Sequence, residues 1–240
     1  LKGAADGRLF IRAEIGGDKP NAKLHIVVAD PADGTIVADE LLPAGMRKVR
    51  TEIATRAEHL WSPNDPYLYD VTATLEFGAA KSQGKQEKLQ QESQEIQEKP
   101  AKSQEKQDIV RSYCAFRTVE IKPDLKGIAR FHLNGKPVFL KGVLDQGYWP
   151  DGLLTAPSDE ALVHDITAMK ESGFTMLRKH IKIESARWYY HCDRLGMLVW
   201  QDAVSGGGEY DAWATNRKPT LMRATWNKYR DDTAKHFAAL

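Results

Sequence analysis

Two spacings of hydrophobic residues divide the chain. From residue 8 to 77 the apolar positions recur at every second residue: Leu9, Ile11, Ala13 and Ile15 in LFIRAEI, then Leu24, Ile26 and Val28 in KLHIVVAD. A period of two lines one face of a β-strand. RKVRTEIA reads as another strand and YLYDVTATLEF as a long one. DPADG (Asp30–Gly34) reads as a turn, and WSPNDP (Trp61–Pro66) as a rigid corner. Short strands separated by regular turn signals predict a β-sandwich. Strand character returns at Ile109 and runs through YCAFRTVEI, which closes that sandwich.

From Gly127 the spacing changes. ARFHLNGKPVFLKGV predicts a β-hairpin turning at Asn134-Gly135, the pair best suited to a type I′ turn. Its second arm, Val138 to Val143, is continuous apolar sequence with one lysine, as in a buried parallel strand. A helix follows. Ser158 caps it, Asp159 and Glu160 suit its positive end, Leu162, Ile166 and Met169 form its apolar stripe, and Gly173 ends it. The strand FTMLR, a helix through ARWYYHCDRL stopped by Gly196, the strand MLVWQD and a last helix from about Thr220 complete the order. Strands alternating with helices predict βα units on a parallel sheet.

Residues 81–108 fit neither spacing. KSQGKQ at Lys81 returns almost unchanged as KSQEKQ at Lys102, and Leu89 and Ile96 are the only large apolar residues between. Such a stretch buries too little surface to offset its ordering entropy, so it reads as a low-complexity insertion in a hairpin loop. The 34 Lys and Arg against 33 Asp and Glu leave a net charge of +1, which argues for neither nucleic acid nor an anionic membrane as partner. No apolar run reaches the ~18 residues of a membrane span, and the opening LKGAADGRLF does not read as a signal peptide. Cys114 and Cys192 lie far apart and read as two buried thiols rather than a disulfide. Their spacing gives no metal motif. Nothing fixes a compartment.

The phrases LWSPNDPYLYDVTATL, FRTVEI, FHLNGKPVFLKGV and ARWYYHCDRLGMLVWQD, with Arg178-x-His180 ending a strand, together resemble glycoside hydrolase family 2, the β-galactosidase and β-glucuronidase group. The resemblance covers nearly the whole chain outside the insertion. It implies an immunoglobulin-like sandwich over residues 1–123, carrying the insertion, and the N-terminal part of a TIM-barrel catalytic domain over 124–240. The chain then holds the first three βα units of an incomplete (β/α)8 barrel, and the rest of the parent chain completes it. The implied function is a retaining glycoside hydrolase acting on β-linked sugars. No cofactor or metal is implied. The alternative is a non-catalytic carbohydrate-binding or scaffold protein.

In such a barrel the C-terminal strand ends form the active-site mouth. Asp145 and Gln146, Arg178 and His180, and Gln201 and Asp202 fall at those ends, and all of them but Gln201 are candidate substrate-binding residues. Their donors and acceptors suit sugar hydroxyls. The competing reading of Arg178 is an ion pair with Asp202 or Asp145. Trp149, beside Tyr148 in DQGYWPDGLL, offers a face to stack on a sugar ring, and Trp200 is a candidate for the barrel floor. Trp188, Tyr189 and Tyr190 read as helix packing. SGGGEYDAW (Ser205–Trp213) lacks the GxxxxGK[ST] order of a phosphate loop and reads as a rim loop.

Retention requires two carboxyl groups about 5 Å apart. The family draws them from an Asn-Glu pair ending the fourth strand and a Glu ending the seventh. No Asn-Glu occurs here, so no catalytic residue is assigned, and both are expected beyond Leu240. Glu184, Glu209 and Asp211 match no family position. Leu144-Asp145-Gln146 stands where Asn-Arg-His is usual in galactosidases, which argues against galactosidase specificity.

Overall fold

The structure is a computed structural model that describes residues 1–17, 21–45, 48–77 and 106–202. Residues 81–105 of the low-complexity stretch, the expected helix from Thr220, the Gly-rich loop, Glu209 and Asp211 lie outside the described residues. Strands dominate, with few helices. The chain divides into two compact units, one comprising Leu1–Leu60 and Leu68–Arg117, the other Trp61–Tyr67 and Thr118–Leu240.

The first unit contains β1 (Lys2–Gly3), β2 (Arg8–Glu14), β3 (Lys23–Ala29), β4 (Ile36–Pro43), β5 (Lys48–Ala54), β6 (Tyr69–Phe77) and β7 (Lys106–Cys114). They form two antiparallel sheets, β1-β2-β5 and β4-β3-β6-β7. The expected period of two is visible in burial: Leu9 and Ile11 from one sheet, and Leu24, Ile26, Val28, Val71 and Leu75 from the other, are all buried. Both sheets line one cleft of about 590 Å³, where Ile11 and Ala13 stand with Leu24, Ile26 and Val71. The sheets therefore present their apolar faces to a common interior. β4 was not anticipated because Val37 and Ala38 are buried side by side while Asp39, Glu40 and Leu41 are exposed, so it never alternates. β7 begins at Lys106, ahead of the expected Ile109.

The second unit adds β8 (Val119–Pro123), β9 (Ala129–Leu133), β10 (Lys136–Pro137), β11 (Gly142–Asp145), α1 (Asp159–Glu171), β12 (Met176–Lys179), α2 (Ala186–Leu195) and β13 (Leu198–Gln201). The continuous strand expected through YCAFRTVEI is instead two strands. β7 stops at Cys114, and β8 pairs with β9 in another sheet. Asn134 and Gly135 turn with φ of 50° and 75° between paired Leu133 and Lys136, as a type I′ hairpin requires. The expected strand Val138–Val143 is also divided. Val138 still donates to Phe131 O across the hairpin, whereas the parallel strand starts only at Gly142. One apolar run thus serves two sheets. The second begins at Gly142, paired with Met176, where a Cβ would meet the Met176 side chain.

β11, β12 and β13 form a parallel sheet in that order, joined by α1 and α2. Ser158 Oγ accepts from Ala161 N and caps α1, and Gly196, at φ 73°, ends α2. Leu162, Ile166, Trp188, Cys192, Met197 and Leu177 make the core between helices and sheet. Cys192 and Cys114 are both buried free thiols. Burial pushes the Cys114 thiol up to about 12 and raises that of Cys192 as well.

The corner at Trp61 fastens this unit. Trp61 is fully buried and its Nε1 donates to Asp193 O at 2.7 Å. Asn134 Nδ2 donates to Trp61 O, and Lys170 Nζ donates to Pro63 O and Leu195 O. A Cβ on Gly196 collides with Pro63 O. Trp61→Ala is expected to cost roughly 3–5 kcal/mol through lost burial. Gly196→Ala should cost at least about 1 kcal/mol, through its positive φ and that collision. Equilibrium urea unfolding monitored on the second unit checks both values.

Candidate functional site

In-register parallel pairing gives each face of the β11-β12-β13 sheet a defined set of side chains. Val143, Leu177 and Val199 are cross-strand partners and pack on the helical side. The next row, Leu144, Arg178 and Trp200, belongs to the opposite face and is exposed. The last row, Asp145, Lys179 and Gln201, returns to the helical side at the C-terminal strand ends. Ligands in open α/β sheets bind outside those ends.

The last row is organised by Lys179, which is 1% exposed. Its Nζ lies 2.8 Å from Asp145 Oδ1, 3.1 Å from Glu184 Oε1 and 4.3 Å from the centroid of the Trp188 ring. Lys182 Nζ, 2.6 Å from the same Glu184 oxygen, also donates to Gly147 O and Leu154 O. Two cations thus face two carboxylates. Gly147 closes over them: its N–H donates to Asp145 Oδ1 at 2.9 Å, its φ is 64°, and a Cβ there runs into Glu184, Lys182 and Lys179. Gln201 Nε2 donates to Lys182 O and Asp202 O, while its Oε1 accepts from Tyr189 at 2.5 Å. Burial pushes the Tyr189 hydroxyl up to about 12, so it stays a donor.

Above this network stand the rim groups. Gln146 Nε2 lies 3.1 Å from His180 Nδ1, and His180 N donates to Asp145 O at 2.9 Å. With the amide donating, Nδ1 accepts and the ring proton sits on Nε2. Arg178 grips Asp202 with two bonds of 3.0 Å, Nε to Oδ1 and Nη2 to Oδ2. That guanidinium above all holds the Asp202 carboxyl below the usual carboxylate range, and a hydrogen bond from the Ile181 backbone acts in the same direction. Ile181 has φ 47°, a strained conformation for a β-branched residue. Tyr148 is exposed.

Of the residues named from sequence, the fold pairs Gln146 with His180 and Arg178 with Asp202. Asp145 goes to the buried lysine instead. Trp149 packs on the helical core and is only partly exposed. Trp200 is 46% exposed on the other face of the sheet and meets Phe131 edge-to-face at 5.8 Å. Lys179 and Lys182 were missed, and with them the network that ties Glu184, Tyr189 and Gln201 together. The available signal was the strand period: counting by two from buried Leu177 puts Lys179 on the buried face. Among the described residues, no group of three His, Cys, Asp or Glu side chains is arranged to hold a metal ion, and no helix is long and apolar enough to cross a membrane.

No family model matches the chain. It is 25% identical over 197 residues to a β-galactosidase of Lactobacillus delbrueckii subsp. bulgaricus, covering 82% of this chain and 16% of that protein. It is 26% identical over 228 residues to β-mannosidase B of Aspergillus terreus, covering 91% and 23%. It also matches the crystal structure of a glycosyl hydrolase family 2 member from Bacteroides cellulosilyticus, at TM-score 0.53 and 25% identity, covering 82% and 23%. The resemblance to glycoside hydrolase family 2 holds. The chain spans about a fifth of the length of these relatives, 16% to 23%.

Two outcomes follow from the charges. Glu184→Gln leaves the buried Lys179 and the half-buried Lys182 with one carboxylate and should destabilise by about 3–5 kcal/mol. Adding Lys179→Met restores neutrality, leaving Asp145 with Lys182. The double variant should therefore be more stable than the summed single effects by roughly 0.5–3 kcal/mol in urea unfolding. For Asp202, a depressed folded pKa means the stabilisation is full above the unfolded value of about 3.9 and is lost as pH falls through the folded one. The stability difference between the protein and Asp202→Asn should stay constant from about pH 5 to 8 and shrink only below about 4. A carbon-detected NMR titration should place the Asp202 midpoint below about 3.9.

Proposed function

We propose that the chain is part of a retaining glycoside hydrolase that cleaves O-glycosidic bonds of β-linked sugars, with carbohydrate as the substrate. The observation that carries this is the convergence of polar groups from three parallel strand ends: Gln146 with His180, and Arg178 with Asp202. Planar amide, imidazole and guanidinium groups match hydroxyls at fixed spacings around a sugar ring. The likeness to enzymes named for β-galactosides and β-mannosides supports the same class of bond. In this reading Asp145 orients the first rim loop, Trp149 offers a face to stack on the sugar and Trp200 lines the barrel floor.

The proposal extends to architecture. The immunoglobulin-like sandwich reading takes residues 1–123 with the 81–108 insertion and the TIM-barrel reading takes 124–240; β7 already pairs from Lys106, and β8, paired with β9, goes with the second unit. The parallel β11-α1-β12-α2-β13 order supports the barrel reading, and further strands of the parent chain complete it and carry the catalytic carboxylates. A second reading, a non-catalytic carbohydrate-binding or scaffold protein, is favoured by one observation. Asp145, Glu184 and Asp202 each hold a cation, so none stands ready as a nucleophile.

The test is Arg178→Lys and His180→Asn in the complete protein, assayed on a panel of aryl β-glycosides. Each should lower kcat/KM by on the order of 10–100-fold with the melting temperature unchanged. Full activity in the folded fraction of a destabilised variant contradicts the rim reading. Sugar binding without turnover in the complete protein supports the second reading.

A further inference from the structure

We infer that Lys179 is a positioning residue for the sugar-binding rim: its buried ammonium, shared by Asp145 and Glu184, fixes Gln146 and His180 in the geometry in which they meet a substrate hydroxyl. The inference rests on the reading of the rim as a carbohydrate site. Lys179 itself is 1% exposed, so it acts through its neighbours and not on a ligand.

The neighbours come from separate segments. Asp145 precedes Gln146, and its carboxylate holds both Lys179 Nζ at 2.8 Å and Gly147 N at 2.9 Å. The backbone on either side of Gln146 is therefore anchored to one buried charge. Glu184 takes Lys179 at 3.1 Å and Lys182 at 2.6 Å, which fixes the segment that leaves β12 through His180. Lys182 then reaches across to Gly147 O at 2.9 Å, and Gln201 ties Lys182 O to the third strand end at 2.7 Å. His180 and Gln146 are the two side chains carried outward by these anchored turns, and they meet at 3.1 Å.

Two further observations belong to the same device. Ile181, between His180 and Lys182, adopts φ 47°. A β-branched residue keeps that conformation only where its surroundings over-determine it, and the anchors at Lys182 and Glu184 do so. Gly147 has φ 64°, which favours glycine, and a Cβ there would push against Glu184 Oε1 and both lysine amines. A misplacement of about 1 Å at a substrate-positioning group can cost on the order of 100-fold in rate, so an anchor of this kind has a measurable effect at the rim.

The test uses the complete protein and two variants, Lys179→Met and Gly147→Ala, neither of which changes a rim side chain. The first readout is the ¹⁵N spectrum of the His180 ring. With Nδ1 accepting from Gln146, the wild-type ring should show one tautomer. In either variant the two nitrogen shifts should converge towards the average of a free neutral imidazole. The second is a double-mutant cycle in kcat/KM on an aryl β-glycoside. Lys179→Met should lose on the order of 10–100-fold alone and less than about threefold when His180 is already Asn. A folded Lys179→Met with a wild-type His180 signature, or losses that add in full, overturns the inference. If Lys179→Met does not fold, Gly147→Ala answers the same two questions. If His180→Asn leaves kcat/KM unchanged, the carbohydrate reading fails by itself, and the ring signature still decides whether Lys179 positions His180.

Discussion

A lysine ammonium buried behind the ends of three parallel strands is the constraint on which the candidate site depends. Removing such a charge from water is tolerated only when oxyanions and other partners replace the lost hydration. Here Asp145 and Glu184 supply the oxyanions and Trp188 a ring face. Each partner lies on a different segment, so neutralising one charge draws those segments together. Other local features follow from that gathering: the glycine at 147, the strained Ile181, and the Gln201 amide turned inward to bridge Lys182 and Asp202.

The helices and the Trp61 corner keep that interior closed. Leu177 and Lys179 are two residues apart on one strand and face the same core, the first meeting apolar groups and the second the ion cluster. One strand thereby contributes to packing at its centre and to polar organisation at its end. Arg178, between them, faces the other way and spends its guanidinium on Asp202. The pair is half open to solvent on the arginine side, where a ligand hydroxyl can approach donors that are already oriented.

Sequence alone reached the elements whose period was clean. The strands at Leu9–Ile11 and Leu24–Val28, the caps at Ser158 and Gly196, and the Asn134-Gly135 turn follow from rules that act within a few residues. β4 escaped because it is an edge strand whose neighbouring Val37 and Ala38 are both buried. The break between β7 and β8 escaped because the choice of sheet is made by partners far along the chain. At the site, the Arg178–Asp202 pair was foreseen as the structural alternative to substrate contact. Lys179 was passed over because a lysine in a charged block reads as solvated, and only its place in the alternation with Leu177 argues otherwise. Asp145 was read as facing substrate. Its carboxylate faces the buried lysine, a direction fixed by register with β12 and invisible in one strand's sequence.

The central claim is that one buried charge holds three strand ends together. Amide hydrogen exchange resolved by residue, comparing the protein with Lys179→Met, tests it most directly. The account predicts that protection falls together at Gly147, His180 and Asp202, whose amides donate to Asp145 Oδ1, Asp145 O and Lys179 O, while Leu162 and Ile166 in the helical core keep theirs. Loss of protection confined to the immediate neighbours of residue 179 along the chain would contradict it.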